Sequence, residues 1–312
     1  DQWTRNRLSL QGAVRYERAW SYFPAGQGWD GTDRFMPAPI VFPAVEGVPG
    51  FNDIMVRGGL AYDVFGSGKT SVKVNIGKYV QAANNQDRYT TGNPAGSFAQ
   101  TTARNWTDGN GNYLPDCDLM NSAAQNNLAT GGDSCSQWLT AGFGNPLSVN
   151  TVNPAILEGW NSRPADWQLG VSIQHEILPR TSIEVGYHRR SFQGFTVTDN
   201  RAVGPNDYTA YTFTAPQHAS LPGGGGYTVG SFDLNPNAVG RISDNYVTFS
   251  SDYGNEEQYW HGVDINVNAR LRSGLIVQGG TSTGRGVRDR CEIVAALPET
   301  LVAAGTWQQS DS

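Results

Sequence analysis

Seven stretches of this chain alternate apolar and polar side chains with a period of two, each over about 11 residues. No other feature limits the fold as strongly. In 7–18, Leu8, Leu10, Gly12, Val14 and Tyr16 fall on one side and Ser9, Gln11, Ala13, Arg15 and Glu17 on the other. In 70–80, Val72, Val74 and Ile76 face away from Ser71, Lys73 and Asn75. In 166–177, Trp167, Leu169, Val171, Ile173 and Ile177 oppose Gln168, Ser172, Gln174 and Glu176. In 260–271, Val263, Ile265, Val267, Ala269 and Leu271 oppose Asp264, Asn266, Asn268 and Arg270. The pattern recurs at 54–64 and 181–191, and more weakly at 274–285. Each stretch reads as a strand with one apolar and one polar face. Ordinary globular strands run to about 5–6 residues, whereas a tilted strand crossing a bilayer needs about 9–11.

The connections are lopsided. Residues 65–69, 178–180 and Arg272-Ser273 join neighbouring strands tightly, while 19–53, 81–165 and 192–259 are long. Tight turns at one end and long loops at the other predict an all-β fold, an antiparallel transmembrane β-barrel portion occupying 1–312, with short periplasmic turns and long extracellular loops. A soluble sandwich rarely tolerates three such loops. Charged residues make up only 16% of the chain, low for a soluble protein, and no run of about 18 apolar residues predicts a membrane helix. The net charge of −6 argues against a nucleic-acid partner. The start, Asp1-Gln2-Trp3-Thr4, carries no legible signal peptide. Tyr16, Trp20, Tyr22, Phe23, Tyr79, Trp167, Tyr187, Phe192, Tyr259 and Trp260 sit near strand ends. They read either as an interfacial girdle or as the aromatic corners of a soluble sheet.

Gly66-Ser67-Gly68-Lys69-Thr70 spells the end of a phosphate-binding loop. The full motif needs a glycine at 63, where Asp63 stands, and a helix afterwards, where a strand pattern follows. It reads as a hairpin turn.

Cys117 and Cys135 share one polar loop. A disulfide between them suits an oxidising compartment; the alternative is two reactive thiols. Cys291 is left over. Asp108, Asn110 and Asn112 have part of the oxygen spacing of a calcium loop, but position 113 is Tyr and the closing Glu is missing, so a solvated turn competes with the metal. Asn105-Trp106-Thr107 is a formal glycosylation sequon. Trp106, Tyr113, Trp138, Tyr208, Tyr211 and Tyr246 are loop aromatics among amides and acids. They are candidates for ligand contact, or for pinning the loops to themselves. The four His residues show no metal-ligand spacing, and no catalytic constellation stands out. No enzymatic activity, catalytic residue or cofactor is expected.

The stretch Trp160-Asn161-Ser162-Arg163-Pro164-Ala165-Asp166-Trp167-Gln168-Leu169-Gly170-Val171, following Asn153-Pro154-Ala155, resembles the barrel region of TonB-dependent receptors. The subgroup is that with an N-terminal carboxypeptidase-regulatory-like domain. Residues 57–66, 73–79, 184–190 and 262–271 support the resemblance. It implies a barrel of about 22 strands around a plug domain, in the bacterial outer membrane with its long loops extracellular. It implies import of a scarce ligand such as a glycan, peptide or metal chelate. Its partners would be outer-membrane lipid and lipopolysaccharide, the chain's own plug, the energy-coupling TonB complex acting through regions absent here, and a possible surface lipoprotein. Seven strands make the chain read as an internal piece of such a protein, with Cys291 expected to pair beyond Ser312. The alternatives are a non-transporting surface protein or adhesin, and a secreted soluble all-β binding protein.

Overall fold

The computed structural model describes residues 1–312 apart from 33–38, 98–100, 141–142, 145–149, 240, 242, 272–273, 304–307 and 310–312. The residues fall into two units. The first is Asp1–Ala19, Gly50–Ala83 and Val152–Ser312; the second is Trp20–Pro49 and Asn84–Thr151.

The first unit is built on a nine-stranded sheet. Its strands are β1 (Gln2–Arg5), β2 (Leu8–Ala19), β3 (Gly50–Asp63), β4 (Thr70–Val80), β5 (Glu158–Trp160), β6 (Ala165–Leu178), β7 (Thr181–Gln193), β12 (Glu257–Arg270) and β13 (Ile276–Asp289). Four short strands between β7 and β12 lie outside it: β8 (Thr196–Asn200), β9 (Tyr208–Thr214), β10 (Thr228–Leu234) and β11 (Asn245–Phe249). All seven expected strands are present. All but β5 follow one another as an antiparallel meander, which leaves an open sheet with β1 and β13 at its edges. The architecture is all-β and antiparallel; no closed barrel is formed by the described residues. No helix among them is long and apolar enough to cross a membrane, which says nothing of strands.

The register makes the two faces continuous. Leu10, Leu60, Val74, Val171, Tyr187, Val263 and Thr283 stand opposite one another on seven successive strands. One residue along, Gln11, Gly59, Asn75, Gly170, His188, Gly262 and Gly284 form the matching row of the other face. The apolar face is uncovered: Val171, Ile173, Val185, Ile265 and Val267 each leave more than a third of their surface open.

Local chemistry sets the turns. Asp63 accepts the N–H groups of Gly66 (3.0 Å) and Gly68 (2.8 Å), so the glycine loop is closed on its own aspartate. At the β6–β7 turn Pro179 fixes its own φ near −65°. The left-handed conformation therefore falls on Arg180, at φ 68°. The Arg272-Ser273 turn lies outside the described residues.

At the other end of the strands, Glu17 on β2 stands directly opposite Asp53 on β3. Two like charges in that position repel. The buried guanidinium of Arg163 holds them: Nε donates to Asp53 at 2.6 Å, one terminal nitrogen to Glu17 at 3.0 Å, and the other to the Gln81 carbonyl at 3.2 Å. The stretch before Arg163 is not loop, as 81–165 was expected to be. It forms β5, which pairs parallel to Gly50–Asn52 of β3. Asn161, at φ 54°, accepts from Lys78 Nζ at 2.6 Å.

Loop 192–259 is also more structured than expected. It contains two antiparallel strand pairs, β8 with β11 and β9 with β10. The four glycines after Pro222 all have positive φ, and a Cβ on Gly225 would lie 1.9 Å from the Pro216 carbonyl oxygen, so this is a tight excursion. Beyond β13 two short helices follow, α1 (Cys291–Ala296) and α2 (Glu299–Ala303). Ile293 and Leu297 pack with Val197 of β8.

Replacing Arg163 with Met should cost about 3–5 kcal/mol, because it strands two buried or half-buried carboxylates; one Asp53 oxygen already has no hydrogen-bond partner. Arg163→Lys should recover only part, since one ammonium cannot reproduce the fork. Denaturant midpoints of the three proteins check this; an unchanged midpoint in Arg163→Met contradicts it.

Candidate functional site

Two regions gather polar chemistry, one in each unit.

On the polar face of the sheet, nitrogen-bearing and acidic side chains are matched across strands. Arg190 meets Asp166 at 2.8 Å, His188 meets Asp264 at 3.2 Å, and Lys73 lies 3.0 Å from Gln174 and 3.6 Å from Glu184. Ser172 donates to Glu184 at 2.9 Å. Glycines at 59, 77 and 170 remove side chains from the middle of this face and leave a concavity of ≈ 680 Å³, lined among others by Arg57, Tyr79, Gln168, His188, Arg190 and Trp260. Crowding around one of them is direct: a Cβ on Gly170 would lie 2.7 Å from the Asn75 amide nitrogen. Arg57 lies over the Tyr79 ring, 4.5 Å from its centroid. The aromatics near the strand ends therefore divide. Tyr16, Trp167, Tyr187 and Tyr259 share the apolar face, whereas Tyr79, Phe192 and Trp260 stand on the polar one. His175, on the apolar face, shares a 2.8 Å hydrogen bond with Thr70.

In the second unit, Cys117 and Cys135 form a disulfide with Cα atoms 6.5 Å apart. Beside it the buried carboxylate of Asp133 gathers three donors: the Trp106 indole at 2.9 Å and the N–H groups of Gly109 (3.0 Å) and Asp116 (2.9 Å). The Asp116 N–H, with Trp106 and Gly109, holds the Asp133 carboxyl below the usual carboxylate range against the opposing effect of burial. Asp108 accepts from Gly111 (2.7 Å) and Tyr113 (2.9 Å), Asn110 from Asn112 (3.0 Å), and Asn112 from Leu114 (2.7 Å). The three calcium candidates thus each brace a turn. Among the described residues no three His, Cys, Asp or Glu side chains converge as a metal site.

The six loop aromatics are divided between the two units, Trp106, Tyr113 and Trp138 in the second and Tyr208, Tyr211 and Tyr246 in the first. Trp106 is tied down by Asp133, Tyr113 is open to solvent at φ 60°, and Trp138 packs edge-on against Phe143. Tyr208 and Tyr211 lie on β9, and Tyr246, on β11, sits under Arg201. Cys291 is an exposed free thiol at the start of α1. Its hydrogen bond with Asp289, together with burial, pushes its pKa up. Sequence reasoning missed Arg57, Arg163 and Asp166. The alternation already assigned Arg57 and Asp166 to the polar face, but nothing local marks Arg163.

Two outcomes test the second unit. Substituting both Cys117 and Cys135 with Ser opens a closed loop of 18 residues' separation, worth about 3 kcal/mol of chain entropy. Limited proteolysis within 104–139 should accelerate while the sheet's circular dichroism stays. The second test concerns pH. A carboxylate whose folded pKa is depressed contributes its stability above the unfolded value, near 3.9, and loses it as the pH falls through the folded value. The Trp106 indole N–H resonance should therefore hold its position from about pH 7 to about pH 4 and move only below that. Movement near neutrality would contradict the Asp133 assignment.

No protein-family model, no curated protein and no solved structure matches the chain.

Proposed function

We propose that this chain forms part of the wall of an outer-membrane β-barrel receptor of the TonB-dependent kind. The receptor captures a scarce ligand, such as a glycan, peptide or metal chelate, at its long loops and imports it. The observation that carries this reading is the uncovered apolar face of seven long strands. Burying such a side chain is worth about 1.5–3 kcal/mol. Nine of them on this face, Val14, Ile54, Val56, Ile76, Val171, Ile173, Val185, Ile265 and Val267, remain between about a third and three quarters exposed. The stabilisation forgone in water is roughly 10 kcal/mol, as large as the whole net stability of a typical domain. Hydrocarbon removes that deficit. The polar face then lines the interior around a plug, and the two open edges are met by further strands, since unpaired backbone is costly in lipid. Capture of the ligand then falls to the long connections at the outer end of the strands.

A single substitution separates this reading from a soluble sheet. Val171 sits mid-row and is 38% exposed. If the face meets water, Val171→Arg should be nearly neutral. In a bilayer it should cost about 2–4 kcal/mol, while Ser172→Arg on the polar face should be tolerated far better. Heat-dependent mobility and folding yield in detergent read the difference; a neutral Val171→Arg overturns the membrane reading. Import itself is tested by uptake of the captured ligand, which should cease when the inner-membrane proton gradient is collapsed. Surface binding that persists with no energy-dependent uptake would favour an adhesin.

A further inference from the structure

The charges of the two faces are treated differently. On the polar face Arg190, His188 and Lys73 have acids within reach. On the apolar face, Leu169, Arg189, His261 and Arg285 stand opposite one another on four successive strands. Arg189 lies over the Tyr259 ring, 4.6 Å from its centroid, and donates to Ser191 Oγ at 3.3 Å. Arg285 makes no hydrogen bond or ion pair among the described residues, and neither guanidinium meets a carboxylate there. The nearest acids on this face, Glu257 and Asp289, form a row two pairs further on, and Asp289 accepts the Cys291 N–H at 2.9 Å.

The row's height is informative. From Ala269, at the turn end of β12, to His261 is eight residues, about 27 Å along the strand. At a strand tilt of about 40° this is roughly 20 Å of bilayer, against an apolar band of about 25 Å. The two arginines thus stand at the rim of the band, on the side of the long loops, where headgroups lie. Strands lie about 4.8 Å apart, so Arg189 and Arg285 are separated by roughly 10 Å with His261 between them. That spacing lets both forks reach one phosphate-bearing headgroup, each bidentate. Tyr187, Val263, Val185 and Ile265 continue directly below as a bed for acyl chains.

We propose that Arg189, His261 and Arg285 form a binding site for the phosphorylated headgroup of a lipid in the outer leaflet. The proposal rests on the membrane-spanning reading of this face. A free phosphate would gain only the two exposed arginines, whereas a lipid gains the apolar rows as well.

The test uses the full-length protein in nonionic detergent, titrated with bis-phosphorylated lipid A and with the same lipid after phosphate removal. The double variant Arg189→Gln/Arg285→Gln should bind the phosphorylated lipid about tenfold more weakly and the dephosphorylated lipid unchanged. Arg189→Lys/Arg285→Lys should recover part of the loss. Arg15→Gln, which removes a cation from the other face, should change nothing. Equal binding by the wild type and the double Gln variant overturns the proposal, as does an equal loss in Arg15→Gln. Full displacement by inorganic phosphate would make this a general anion site and overturn the lipid assignment. The two readings fail separately. A tolerated Val171→Arg removes the membrane reading, whereas a costly Val171→Arg with unimpaired lipid binding by the double variant removes only the headgroup site.

Discussion

A buried arginine governs how the loop ends of the strands meet. Glu17 and Asp53 are forced into opposition by the β2–β3 register, and their repulsion would splay the strands at that end. Arg163 turns the conflict into a clasp, and its third contact, to the Gln81 carbonyl, ties in the end of β4. A guanidinium is costly to bury unless its donors find acceptors. The arrangement therefore works only if three separate strand ends arrive together. The same stretch supplies β5, which pairs with β3 at Gly50–Asn52, and Asn161, which receives Lys78. One short segment before β6 thus organises the exits of β2, β3 and β4.

The long strands were legible because a period of two needs only local information, and six of the seven stretches carry it cleanly. β4 occupies 70–80, as read, and most of the other boundaries move by a few residues. The rejected phosphate loop was legible too, since Asp63 occupies the position where a glycine is required. Arg163 was not legible as a clasp. Its partners lie 110 and 146 residues away in sequence, and only the folded sheet brings them together. The aromatics near strand ends are a different case. Nearness to a strand end does not fix the face, whereas parity within the strand assigns Tyr79, Phe192 and Trp260 to the polar side. The short strand pairs of 192–259 and the helix at Cys291 carry too little periodicity to be seen beforehand.

The two units solve different stability problems. The sheet has abundant backbone pairing and an apolar face, and needs only its charges placed. Residues 104–139 of the second unit are held by side-chain oxygens that accept N–H groups, with Asp133 at the centre and one covalent cross-link beside it. Loop composition showed the oxygens but could not show that Trp106 would be spent on Asp133, leaving Tyr113 as the more open ring.

The register of the sheet also works as a geometric reading frame. Each row continues across seven strands because every strand keeps the same parity along the rows, the bulge between Glu176 and Leu178 lying at the turn end of β6. Inserting or deleting one residue within β6 would exchange the roles of every side chain beyond that point, moving Gln174 to the apolar face and Ile173 to the polar one. Such a change is a frameshift in three dimensions, and its damage does not depend on which residue is added. Length variation among natural versions of this chain should therefore gather in the connections, and inside strands it should occur in pairs of residues or as a bulge of the kind seen between Glu176 and Leu178.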